Sequence, residues 1–200
     1  MLFTSLRHAT TNLANFRGRD NPALFWPFTG LVIGAIMLLG MVGAMAIMAQ
    51  LLPGIIAFAK AHPDQTHIES GPTNFQITID GQPGLSPLDQ AQFGQIFDTM
   101  LAINMISLVV VVVLLGAAVT RRLHDSGMTG AIAWVPVLLL VAGMAQMRSA
   151  IVFDPKSATD MTAFLRLFAT NFAYLASLGG LVYLLIRKGT PGENRYGPPG

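Results

Sequence analysis

The stretch Arg121-Arg122-Leu123-His124-Asp125-Ser126-Gly127 concentrates charge between two apolar runs, at residues 98–120 and 131–147. Two further apolar runs lie at 24–52 and 162–186. Most of these runs are long enough to cross a hydrocarbon core of about 30 Å as helices, and for the shortest, 131–147, a re-entrant or buried helix is the alternative. Because only a helix or a closed barrel satisfies the backbone in lipid, the sequence predicts an all-α integral membrane protein with four transmembrane helices. Gly127 predicts the end of the second helix.

The composition supports this class of protein. Of the 200 residues, 52% are hydrophobic and only 11% are charged, whereas a soluble domain usually has about 25% charged residues. The absence of cysteine excludes disulfides, thiolate metal sites and thiol catalysis. The length predicts a single membrane domain, residues 1–200, in which residues 187–200 form a polar tail.

Residues 53–97 form the only sizeable hydrophilic segment, between the first and second spans. Within it, apolar residues alternate with polar ones at Phe75, Ile77 and Ile79. They run into Asp80-Gly81, which predicts a β-hairpin that turns at this pair. The segment Ser86-Pro87-Leu88-Asp89 then predicts the start of a helix that continues into the second span.

The basic residues are distributed unequally between the two sides of the predicted membrane. Four spans place both termini on one side, which carries Arg7, Arg17, Arg19, Arg121, Arg122, Arg187, Lys188 and Arg195. Most acids fall on the other side. Because basic residues accumulate in cytoplasmic loops, we predict that both termini are cytoplasmic and that the hairpin loop at 53–97 is extracytoplasmic.

Three motifs on this predicted cytoplasmic side resemble those of a known family. The opening Phe16-Arg17-Gly18-Arg19 with Phe25-Trp26-Pro27-Phe28, the stretch at 121–127, and the ending Gly189-Thr190-Pro191-Gly192-Glu193-Asn194-Arg195-Tyr196-Gly197-Pro198 are similar to motifs of the domain of unknown function 805 family. Asp20 departs from the pattern, because the family usually has a basic residue after the arginine. The resemblance implies a small bacterial inner-membrane protein of about four spans, and it implies no activity.

The three motifs are distant in sequence and emerge at one membrane face, so we predict that they form one cluster. Its candidate residues are Arg17, Arg19, Arg121, Arg122, His124, Asp125, Glu193 and Arg195. In one interpretation these residues only orient the protein and end a helix, with the tail residues Glu193 and Arg195 paired to charges of the 121–127 stretch. In a second, the arginines bind a lipid phosphate. In a third, His124, Asp125 and Glu193 form a metal or acid–base site.

The leading functional hypothesis is a non-enzymatic structural or interaction protein without cofactor, metal or catalytic residues. Its expected partners are the lipid bilayer, anionic lipid headgroups, and a second membrane protein or another copy of the chain, and not nucleic acid. A small transporter or channel subunit is the alternative, and a membrane enzyme using His124, Asp125 and Glu193 is the third. The transporter is disfavoured because the polar residues noted within the spans are uncharged: Asn104, Ser107, Asn171, Tyr174, Ser177 and Tyr183.

Overall fold

The computed structural model describes residues 2–61, 63, 66–70, 75–79, 90–150 and 161–199. Its elements are α1 (Leu2–Thr11), α2 (Pro22–Ala61), β1 (Thr66–Ser70), β2 (Phe75–Ile79), α3 (Gln90–Asp125), a 3-10 turn (Gly130–Ala133), α4 (Trp134–Ala150) and α5 (Met161–Ile186). Within these ranges, four helical segments are long and apolar enough to cross a membrane: Pro22–Ala61, Gly94–Asp125, Gly130–Met147 and Thr162–Ile186. The predicted helical, multi-pass membrane architecture is confirmed at this level.

Helices α2 and α3 are longer than the predicted spans. α2 has 40 residues and continues past Pro53 to Ala61, and α3 has 36 residues and begins at Gln90. The predicted span ended at residue 52, directly before Pro53, but a membrane helix tolerates proline when neighbouring groups satisfy the backbone that it frees. The predicted 53–97 loop therefore loses residues at both ends to helices. The predicted helix start at residues 86–89 lies outside the described residues.

The β-hairpin predicted at Asp80-Gly81 is not supported. Phe75–Ile79 pairs antiparallel with the preceding strand Thr66–Ser70, so that Ser70 lies opposite Phe75 and Thr66 opposite Ile79. The β-branched residues Thr66 and Ile68 alternate with other types in this earlier strand, a pattern that favours extended structure. Asp80-Gly81 and any strand after it lie outside the described residues.

Two compact units divide the chain, one formed by residues 1–36 and 106–200 and the other by residues 37–105. In the first unit, Phe25 of α2 packs with Leu123 of α3 and Leu185 of α5. In the second unit, α2 approaches α3 closely at Gly43. A Cβ added there would lie 3.3 Å from the Cδ1 atom of Ile103. The single domain predicted from the sequence stays a prediction.

Helix α1 is docked in the first unit through its apolar residues. Ala9 is buried in a cluster with Phe28 of α2 and Leu115 of α3, and Leu6 packs against that cluster. The Ser5 hydroxyl donates a hydrogen bond to the Leu24 carbonyl. Phe3, in contrast, is 78% exposed. The N-terminal helix therefore combines a packed side with an exposed apolar residue.

The connection between α3 and α4 depends on glycine at two positions. Gly127 follows the helix with a φ of 73°, a conformation that other residues rarely adopt, and this agrees with its predicted role as a helix stop. Three residues later, a Cβ at Gly130 would lie 2.4 Å from Cγ2 of Thr120. The side chain of Thr129 caps the 3-10 turn by accepting from the Ala131 amide.

We expect Thr170→Val to weaken the packing of α4 against α5. Thr170 Oγ1 accepts from Nε2 of Gln146 at 3.1 Å, so the valine keeps the volume and removes an interhelical hydrogen bond. Such bonds in membrane proteins contribute about 0.6–1.7 kcal/mol. The loss is measured as a lower melting temperature in detergent. Ser177→Ala is the control, because its hydroxyl donates to the Tyr174 carbonyl of its own helix and to no other helix among the described residues. An equal loss in both variants would contradict the assignment.

Candidate functional site: a buried ionic hub

The last turn of α3 places charged side chains in the interior of the first unit. Arg121, Arg122 and Asp125 are 3%, 0% and 4% exposed, and Arg19 and Asp20, from the segment between α1 and α2, are also buried. We call these five residues the ionic hub. Charged side chains are almost never buried this completely unless they are paired, so the partner of each charge determines what the hub can do.

The carboxylate of Asp125 joins two elements. Its Oδ1 atom accepts from Nε of Arg19 at 3.0 Å and lies 2.9 Å from Nη2 of the same guanidinium group, within ion-pair distance. Its Oδ2 atom accepts from Nη1 of Arg122, three residues earlier on the same helix. One buried carboxylate thus compensates two buried guanidinium groups and connects the N-terminal segment to α3.

The remaining donors of Arg19 hold the C-terminal tail. Its Nη1 atom donates to the carbonyl oxygens of Gly192 at 2.7 Å and Gly197 at 3.2 Å, and its Nη2 atom donates to that of Thr190 at 2.7 Å. The Thr190 amide also donates to the Asp125 carbonyl at 2.8 Å. The tail is consequently folded against the end of α3.

Arg122 closes the end of α5. Its Nε atom donates to the Leu185 carbonyl at 3.0 Å, and Nη2 donates to the Arg187 carbonyl. The last carbonyls of a helix have no partner within the helix itself. A guanidinium group from α3 therefore supplies the donors that the end of α5 lacks, and it links the two helices.

Arg121 and Asp20 form the second buried pair, which holds the segment after α1. Arg121 Nε donates to Asp20 Oδ2 at 2.9 Å, and Nη1 donates to the carbonyls of Asn12, at 2.8 Å, and Asn15. The other carboxylate oxygen of Asp20 lies 3.0 Å from Nε2 of His8 on α1. This pair ties α1 and the segment that follows it to the end of α3.

His124 lies at the edge of the hub, where the tail covers it. Its ring stacks on that of Tyr196 with centroids 3.7 Å apart and planes 6° from parallel. Its Nδ1 atom lies 3.3 Å from the Gly18 carbonyl, and its own carbonyl accepts from the Asn194 side chain at 3.0 Å. Nearby, Nη2 of Arg195 donates to the Gly127 carbonyl at 3.2 Å. His124 therefore helps to seat the tail.

The structure brings together most of the residues predicted to cluster, but with different partners. Arg19, Arg121, Arg122 and Asp125 belong to the hub, and His124 and Arg195 lie at its edge. Arg17 and Glu193 are exposed. Among the described residues Glu193 forms no ion pair, so its predicted pairing with Arg121 or Arg122 is wrong. Arg195 bonds to a carbonyl, not to Asp125. The arginines of the hub bond to backbone carbonyls and to Asp20 instead of to the charged side chains of the tail.

Sequence reasoning missed two contributors to the hub. Asp20 is the single acid of an otherwise basic leader, and that isolation was the available signal. Gly189 packs so close to Asp125 that an added Cβ would lie 2.1 Å from Oδ2. Glycine at this position therefore permits the tail to approach the buried carboxylate.

The chemistry open to this arrangement is narrow. Both hub carboxylates accept charged hydrogen bonds from arginine, and all three arginines donate to protein atoms. In the ranges that the structure describes, no group of three histidine, aspartate or glutamate side chains could hold a metal ion. What the hub can do is join α1, the ends of α3 and α5, and the tail into one polar unit.

Comparison with known proteins identifies the family of this chain. No curated protein and no solved structure matches the chain. The family described as "Protein of unknown function (DUF805)" matches residues 13–198, a range that contains Arg19, the end of α3 and the folded tail. Since the match covers nearly the whole chain, the protein belongs to the DUF805 family.

Proposed function

We propose that this chain is a non-enzymatic structural or interaction protein of the bacterial inner membrane, with the ionic hub and both termini on the cytoplasmic side. The observation that carries this proposal is the internal pairing of the hub. Asp20, Arg19, Arg122 and Asp125 are all bonded to protein groups, as is Nε of Arg121. A general acid, a base or a nucleophile must instead be able to reach a substrate.

The proposed orientation rests on charge. The hub and the segments that it joins contain Arg7, Arg17, Arg19, Arg121, Arg122, Arg187, Lys188 and Arg195. Basic residues near the ends of spans are retained in the cytoplasm. The segment between α2 and α3 then lies outside the cytoplasm. On the cytoplasmic side, a binding partner would contact the exposed residues around the hub, not its buried arginines.

The absence of cysteine provides a direct test of this orientation, because single cysteines can be introduced into an otherwise unreactive chain. We expect Lys60→Cys, at an exposed position of α2, to react with a membrane-impermeant maleimide in intact spheroplasts. Glu193→Cys, at an exposed position of the tail, should react only after permeabilisation. Labelling of Glu193→Cys in intact spheroplasts would contradict the proposal.

A flux assay separates this function from that of a transporter or channel subunit. Vesicles reconstituted with the full-length protein and loaded with pH- or potassium-sensitive dyes should be no more permeable than protein-free vesicles. A protein-dependent flux would overturn the structural assignment in favour of transport.

A further inference from the structure

The exposed charges next to the hub are mostly positive. Besides Arg195, which donates to the Gly127 carbonyl, four exposed cations lie in the segments next to it: Arg7, Arg17, Arg187 and Lys188. We call these four cations the basic rim. The segments next to the hub, residues 2–20 and the tail 187–199, contain two acids: Asp20, which is buried against Arg121, and Glu193, which is exposed. The exposed cations of these segments therefore outnumber the single exposed acid, Glu193, and the rim stays positively charged.

Each rim position is fixed through a direct contact of the hub region. Arg7 precedes His8, which bonds to Asp20, and Arg17 precedes Gly18, whose carbonyl lies against His124. The Arg187 carbonyl accepts from Arg122. Lys188 precedes Gly189, which packs against Asp125. Contacts of the hub and of His124 at its edge thus hold the backbone at or next to all four cations, while their side chains stay exposed.

Large exposed apolar side chains accompany the rim cations. Phe3 is 78% exposed and lies one helical turn before Arg7. Phe16, which is 51% exposed, precedes Arg17. Ile186, the last residue of α5, is 62% exposed and precedes Arg187. An apolar group beside a cation suits the membrane interface, where the first enters hydrocarbon and the second stays at the level of the headgroups.

We propose that the basic rim binds the phosphate groups of anionic phospholipids in the cytoplasmic leaflet. The arginines would bind phosphate oxygens by paired N–H donors, and Lys188 would add a further charge. A nucleic acid or a soluble acidic protein would supply the negative charge but no hydrocarbon for Phe3, Phe16 and Ile186. This inference rests on the proposed function for its membrane side. It differs from the lipid-binding interpretation of the sequence, because the phosphate is bound by exposed cations and not by the buried arginines of the hub.

Native mass spectrometry of the full-length protein tests the inference. Delipidated protein is titrated with phosphatidylglycerol and, separately, with phosphatidylcholine of the same acyl chains. The wild type is expected to prefer phosphatidylglycerol. The fourfold variant Arg7→Gln, Arg17→Gln, Arg187→Gln, Lys188→Gln should reduce that preference by about tenfold or more, because several basic residues near an anionic surface each add to binding. Its melting temperature should be unchanged, since the substituted side chains are exposed.

The matched control is Arg166→Gln, an exposed arginine near the beginning of α5, at the opposite end of that helix from Arg187. It should keep the wild-type preference. The inference is overturned if the fourfold variant keeps its preference, if Arg166→Gln loses as much, or if millimolar inorganic phosphate displaces the lipid. The cysteine-labelling experiment distinguishes failure of this inference from failure of the proposed function. If the labelling shows the proposed orientation but the protein has no lipid preference, only this inference fails. If the labelling shows the reverse orientation, the proposed function fails.

Discussion

Replacing Asp125 with asparagine is expected to lower the free energy of unfolding by about 3–5 kcal/mol, the range seen when one partner of a buried ion pair is removed. Asp125 is the buried carboxylate that accepts from both Arg19 and Arg122. Asparagine keeps the size of the side chain and loses the charge, so two buried guanidinium groups remain without their compensating anion. The loss is measured by SDS titration, followed through the fluorescence of Trp26 and Trp134.

The matched control for this variant is Glu193→Ala. Glu193 is an exposed acid in the tail, so its removal should change stability by no more than about 0.5 kcal/mol. Combining Asp125→Asn with Arg19→Met should cost less than the sum of the two single losses, because the second substitution removes a charge that the first leaves unpaired. Additive losses, or an equal effect of Glu193→Ala, would show that the hub does not act as a unit.

Gly189→Ala is expected to be the second most damaging substitution, with a loss of about 2–4 kcal/mol from steric overlap and weakened ion pairs. The new Cβ would lie 2.1 Å from Oδ2 and 2.6 Å from Cγ of Asp125. An unrestrained carboxylate could rotate away, but this one is held by Arg19 and Arg122. The methyl group must therefore displace either the carboxylate or the tail.

Limited trypsin digestion shows whether the methyl group of Gly189→Ala displaces the tail or the carboxylate of Asp125. If the tail is displaced, cleavage after Lys188 and Arg195 should become faster than in the wild type, at the same time as the SDS midpoint falls. Gly180→Ala in α5 is the control, because nothing lies within 4 Å of a Cβ built there, and its stability should be unchanged or slightly higher. A stable Gly189→Ala protein with a protected tail would contradict the observed packing.

The spans were predictable because hydrophobic length is a direct physical requirement of the bilayer. Their ends were less predictable: Pro53 marks a break in water but lies inside α2. The strand at Phe75–Ile79 was visible from its alternation, whereas its partner depended on pairing with an earlier segment, which the Asp80-Gly81 dipeptide did not reveal. Local patterns thus identified elements better than they identified partners.

The convergence of the three motifs was predictable from topology, since four predicted spans place both chain ends and the stretch at 121–127 on the same side. The pairings within the hub were not. Arginine donates to carbonyls of Leu185, Thr190 and Gly192, and every residue of a sequence offers the same carbonyl. Only the fold shows which carbonyls lie within reach. For this reason the sequence favours Glu193, a visible charge, over backbone carbonyls and Asp20 as a partner of the arginines.

The dependence of Arg19 and Arg122 on acceptors after residue 184 has a consequence for biosynthesis. Arg19 leaves the ribosome early, but its partners Thr190, Gly192 and Gly197 emerge only after all four apolar helices have been made. During insertion, its guanidinium group must remain hydrated or transiently paired. The hub therefore closes as a late event, and a chain that stalls before residue 189 would leave Arg19 without its acceptors in the tail.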